Sequence, residues 1–155
     1  MNLSRTLLAV VASSLLGLAS APLQAHSDAY LDTQPAPNGG QLRMAGAYHY
    51  ELTLAKADSP NTQDAVVVFV TDHAGTRIPT AGASGTVTLL SGKGKLSLPL
   101  KPDGDNRMKA TGKFVSTPEM KVVVSINLAG KSPEQARFTP LASVLASDGH
   151  ADHKH

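Results

Sequence analysis

From residue 48 to residue 54 apolar and polar side chains change places at every step. Tyr48, Tyr50, Leu52 and Leu54 share one phase, and His49, Glu51 and Thr53 share the other. A period of two belongs to a β-strand with one buried face, and a helix cannot satisfy it. The same period returns near the end of the chain, where Met120, Val122, Val124, Ile126 and Leu128 alternate with Lys121, Val123, Ser125 and Asn127. No heptad or long amphipathic helix competes with these strands, and there is no cysteine to staple an irregular fold.

The stretches between them read as further strands and turns. Residues 41–44 form a short first strand, broken at Ala45-Gly46. Residues 65–71 are the most continuously apolar run, rich in the β-branched residues that suit a strand buried on both faces. Residues 85–90 and 95–100 pattern as a hairpin across Ser91-Gly92-Lys93-Gly94, with Val87 and Leu89 matched to Leu96 and Leu98. Pro99 cannot donate to a ladder and marks the second of these as an edge strand. Residues 107–111 are a short strand that 113–115 could extend, and 134–138 the last. Pro140 closes the domain, with a short helix expected over 141–145. Short strands every 8–12 residues or so, with turn residues between them, predict an all-β chain. The expected fold is an immunoglobulin-like antiparallel β-sandwich of about seven strands over residues 40–140. Its predicted core comprises Tyr48, Tyr50, Leu52, Leu54, Val66, Val68, Val70, Val87, Leu89, Leu96, Leu98, Val122, Val124, Ile126 and Phe138.

Both ends depart from this pattern. Residues 1–25 read as a secretory signal peptide: Arg5 gives the positive start, 7–18 the apolar centre, and Pro22-Leu23-Gln24-Ala25 the cleavage region. Cleavage after Ala25 implies a periplasmic protein, soluble once processed, because no later stretch has the roughly 18 apolar residues of a membrane span. It also makes His26 the mature amino terminus, whose α-amine and imidazole together form a two-nitrogen chelate suited to Cu(II). Residues 26–39 are expected to be a flexible approach to the first strand, with Pro35, Pro37 and Gly39-Gly40 as its punctuation. Residues 141–155 form a His-rich tail in which His150, His153 and His155 lie with Asp148 and Asp152 within eight residues. Short histidine-rich tracts read as metal binding, here as a loose collector of ions.

The two remaining histidines lie in the body of the fold. His49 and Glu51 sit about 6.5–7 Å apart on one strand face, near enough to share a site, although the strand alone reads as presenting both to water. His73 follows Asp72 at a strand end, where it is either an exposed turn residue or, if strands 48–54 and 65–71 are neighbours, a partner for His49. Among the methionines, Met108 and Met120 fall in inward phases as core fillers, whereas Met44 ends the first strand close to His49.

Several function classes are disfavoured. The leader carries away one base, so the 14 basic residues come close to balancing the 12 acidic ones, and no Lys/Arg run marks a nucleic-acid binder. With no tryptophan and only three Tyr and three Phe, an aromatic carbohydrate platform is absent. No HExxH, CxxC, EF-hand loop or GxSxG elbow occurs, which argues against an enzyme.

The series Gly39-Gly40 … Gly46-x-Tyr48-His49-x-Glu51-Leu52, then Val68-Phe69-Val70-Thr71-Asp72-His73-x-Gly75-x-x-Ile78, then Val122-Val123-Val124-Ser125-Ile126 … Ala136-Arg137-Phe138 resembles the YtkA-like group of small secreted sandwich domains. Such domains are also similar to segments of periplasmic adaptors of heavy-metal efflux pumps. The resemblance spans about residues 38–139, with Asn38 standing where a histidine often precedes the paired glycines. It implies a periplasmic protein that buffers or delivers copper or zinc, accessory to an efflux or resistance system. The expected metal ligands are His150, His153, His155 and His26, then His49 and His73. The alternative is a non-catalytic accessory module that docks on a membrane or envelope partner.

Overall fold

The computed structural model describes residues 27–55 and 63–142; the expected leader, His26, the loop 56–62 and the histidine tail lie outside the described residues. Eight antiparallel strands follow a one-turn helix, α1 (Asp28–Leu31). They are β1 (Gln41–Ala45), β2 (Tyr48–Ala55), β3 (Asp64–Asp72), β4 (Ser84–Ser91), β5 (Gly94–Pro102), β6 (Arg107–Gly112), β7 (Lys121–Asn127) and β8 (Glu134–Phe138). The all-β reading stands. The short runs at Gln41 and Arg107 both mature into paired strands, which raises the number from about seven to eight, while 113–115 stays outside the sheet.

The strands run in the order β1-β2-β3-β6-β5-β4-β7-β8 and form one nearly closed, barrel-like sheet. Two features produce the near closure. Strand β5 changes partner along its length: Gly94–Leu100 pairs with β4, and Lys101 and Pro102 pair with β6. Pro99 falls in the part of β5 that pairs with β4 alone, the one-sided kind of position in which a strand proline is tolerated. At the seam, β1 and β8 approach each other, and the Thr139 N–H donates to Gln41 Oε1 at 2.8 Å.

The core follows the alternation. Tyr50, Leu52, Val66, Val68, Val70, Val87, Leu89, Val122, Val124, Ile126 and Phe138 are buried, and Tyr48, Leu54, Leu96 and Leu98 pack against them half-buried. Met108 and Met120 fill the interior as expected. One expectation for β3 is corrected. Its Val66-Val68-Val70 face is sealed, while Val67 and Phe69 on the other face are partly exposed, because among the described residues only a thin strap covers the outer face of this half of the sheet.

That strap corrects a second expectation. The approach segment, expected to be flexible, is packed from residue 27 onward. Ser27 caps α1 by accepting the Tyr30 N–H, and Leu31 is buried. Arg43 of β1, itself buried, fastens α1 by ion pairs to Asp32 at 2.7 Å and Asp28 at 3.7 Å. The helix is too short to stand by itself and depends on these contacts. Among the described residues no helix is long and apolar enough to cross a membrane.

Candidate metal site

The outer face of β1, β2 and β3 holds the chemistry. Gly46-Ala47 joins β1 to β2 with a two-residue turn, and Gly46 at its first position has φ +58°, as a tight hairpin turn requires. This turn sets Met44 directly opposite His49 and Leu42 opposite Glu51. On the other side of β2, His49 faces Thr71 and Glu51 faces Phe69 of β3. Residues paired in this way share a sheet face, so two parallel rows cross the three strands: Met44–His49–Thr71 and Leu42–Glu51–Phe69.

Glu51 does not face water. It is 3% exposed. Its Oε1 accepts the backbone N–H groups of Asn38 at 2.7 Å and Gly40 at 3.0 Å, and its Oε2 accepts the Asn38 side-chain amide at 2.8 Å. The carboxylate therefore anchors the strap to β2 and is not held ready for a ligand beside His49. Asn38 is half of that anchor. The paired glycines belong to it as well: Gly39 turns the chain at φ +72°, and a Cβ on Gly40 would run into the Leu52 carbonyl oxygen.

His73 joins His49. Strand β3 runs beside β2 down to the Tyr48–Asp72 pair, and the next residue folds its ring onto that of His49. The two ring centroids lie 4.9 Å apart with an interplanar angle of 28°, a stacked pair. The turn holding His73 is fixed by Asp72, whose Oδ1 accepts the N–H groups of Thr76 at 2.8 Å and Ala74 at 2.9 Å. The bond from the Thr76 N–H, followed by further bonds from the Thr76 side chain and Ala74, holds the Asp72 carboxyl below its ordinary range. Asp72 thus stays ionised as a turn clamp with both N–H groups on one oxygen. His73 itself is exposed, and His49 is half-buried with its Nε2 sealed from solvent.

The histidine pair lines one wall of a cleft of about 770 Å³. Tyr30, Leu31, Pro35 and Pro37 of the strap, Leu42 and Phe69 of the sheet, and Arg77 and Arg107 also line it. Arg107 is engaged with Asp103 at 2.9 Å. Buried Thr80 shapes that end, its hydroxyl 3.0 Å from the Arg107 carbonyl and 3.2 Å from that of Asp105. A second hollow of about 400 Å³ lies at the seam, beside Gln41, Leu54 and Thr139.

Of the six histidines expected to contact metal, the structure describes His49 and His73 and brings them together. His26, His150, His153 and His155 lie outside the described residues. Among the described residues, no group of three or more His, Cys, Asp or Glu side chains converges on one point. A methionine thioether falls outside that set of donors, and Met44 is the neighbour of His49 that pairwise reading of the sequence leaves half-noticed. Its signal is the two-residue turn, which alone determines the Met44–His49 pairing. Compared with protein-family models, curated proteins and solved structures, the chain matches none.

Proposed function

We propose that this chain is an exported, non-catalytic metal-binding protein that buffers or delivers copper or zinc in the periplasm, accessory to metal efflux or resistance. The observation that carries this reading is the stacked His49–His73 pair on the wall of an open cleft. Imidazole is the common ligand of both metals, and strand β2 and the turn after β3 bring two imidazole rings together on one face. The His26 chelate that cleavage after Ala25 would create is a further candidate ligand set. His150, His153 and His155 would serve as a second, looser collector.

The domain type we favour is an immunoglobulin-like sandwich related to the YtkA-like domains. It is supported by the partner change of β5, which divides the sheet into a β1-β2-β3-β6 half and a β4-β7-β8 half. The competing function is an accessory module docking on an envelope partner.

The test is a copper and zinc titration of the processed chain, beside a variant with all three tail histidines changed to alanine and another carrying His49→Ala and His73→Ala. A site on the folded body stabilises the fold by mass action, by about 2.7 kcal/mol at a hundredfold excess over Kd, and so raises the melting temperature. Metal held only by the tail leaves it unchanged. We expect the tail variant to keep the thermal shift and the double variant to lose it. Unchanged binding in the double variant would remove the folded site, and absence of binding in the parent would leave the docking reading. Mass spectrometry of the periplasmic protein should find His26 first.

A further inference from the structure

We propose that Met44 completes the His49–His73 pair as a third donor and makes the folded site selective for copper(I). This rests on the metal-binding reading of the pair and adds the identity of the ion. The turn Gly46-Ala47 and the β1–β2 register put Met44 directly across from His49 on the cleft side of the sheet. Paired side chains on one face have Cβ atoms about 4.5–5.5 Å apart, within reach of a long flexible thioether. His73 approaches His49 from the opposite strand, so the three donors occupy consecutive segments with His49 in the middle.

Burial separates Met44 from the other described methionines. Met108 and Met120 are fully enclosed by core residues, whereas Met44 is only partly buried, on the outer face. A methionine needed only for packing belongs on the inner phase, where the other two are.

The donor set then selects the ion. Two neutral imidazoles and a thioether are soft to borderline ligands without formal charge, a combination that favours Cu(I) over hard divalent ions. The nearby carboxylates that would shift the preference toward harder ions are already engaged. Both oxygens of Glu51 accept strap N–H groups, and Asp72 clamps its own turn. A thioether carries no proton, so its contribution should persist at a pH where imidazole ligation weakens.

The experiment uses the full processed chain with His150, His153 and His155 changed to alanine, so that the tail does not mask the folded site. Cu(I) affinity is measured by competition with a colorimetric chelator under reducing conditions, with Ag(I) as a second soft probe and Zn(II) as the harder comparison. Met44→Leu and Met44→Gln should each weaken Cu(I) and Ag(I) binding by about tenfold or more and leave Zn(II) binding within about twofold. X-ray absorption of the Cu(I) form should show a sulfur scatterer that both variants lose. Two unlike replacements, each with its melting curve, separate loss of a ligand from loss of packing. If both variants keep the parent's Cu(I) affinity, or the parent shows no sulfur neighbour, Met44 is not a ligand even though the histidine pair binds. If His49→Ala with His73→Ala changes none of the affinities, the reading of the pair fails and this inference fails with it.

Discussion

Glu51 and Tyr50 are adjacent in sequence, point to opposite faces of β2 and are both buried, for opposite reasons. Glu51 is compensated: three N–H groups surround its carboxylate. Glu51→Gln replaces an acceptor-only group with one that turns an amide toward those donors. It should cost about 2 kcal/mol, read as a lower urea midpoint, because hydrogen bonds to a charged acceptor are the strong ones. The Tyr50 hydroxyl is buried and has no hydrogen-bond partner among the described residues. Burial first, then the charges of Glu134 and Tyr48, push its ionisation well above the ordinary value. The folded state therefore keeps a proton that the unfolded chain releases near pH about 10, so this contribution is complete below that pH and is lost as pH rises past it. Tyr50→Phe should raise stability by about 1 kcal/mol at neutral pH and flatten the alkaline fall in melting temperature.

The strap and the β3 turn are the elements that make a cleft out of a bare sheet face. Residues 34–40 lack an apolar period of their own, and their course over β2 is dictated by Glu51 at one end and by Arg43 holding α1 at the other. Gly40→Ala would force a Cβ against the Leu52 carbonyl, a rigid backbone atom, and should cost about 2 kcal/mol by denaturant unfolding. On the other side, Asp72→Ala removes the acceptor for the Thr76 and Ala74 N–H groups and frees the turn that carries His73. Its effect should fall on metal affinity more than on the melting curve, because the turn is exposed and outside the core. Titration calorimetry beside a thermal melt distinguishes the two.

For the whole molecule, a nearly closed sheet ties its two halves together through β5, so unfolding should be a single cooperative transition. Metal at His49 and His73 joins β2 to the segment after β3, and its stabilisation should appear in that global transition. Imidazole must be neutral to ligate, so protons compete with the metal and the thermal shift should shrink in acid. A copper-induced shift that persists undiminished at pH about 5 would point away from histidine ligation.

Alternation alone was enough to mark β2, β7 and β8 to within a residue, and the paired phases of β4 and β5 to their register, because a period of two is a local property of the chain. The Met44–His49 pairing was only partly legible, because the sequence reads the break at Ala45-Gly46 and the turn is Gly46-Ala47, an offset of one residue that decides the register. The His49–His73 pair was not legible. Its register depends on β2 and β3 meeting across a loop whose length is compatible with several offsets, and the choice falls to the core, where Tyr50, Leu52, Val66, Val68 and Val70 must all turn inward at once. Burial of Glu51 and the order of residues 27–40 were decided the same way. A carboxylate in an outward phase looks solvated until a remote strap supplies its hydrogen bonds, and a four-residue helix gains its stability from Arg43, 11 residues beyond Asp32. Periodicity records which side of a strand is greasy, but only the closed tertiary structure decides what lies over the other side.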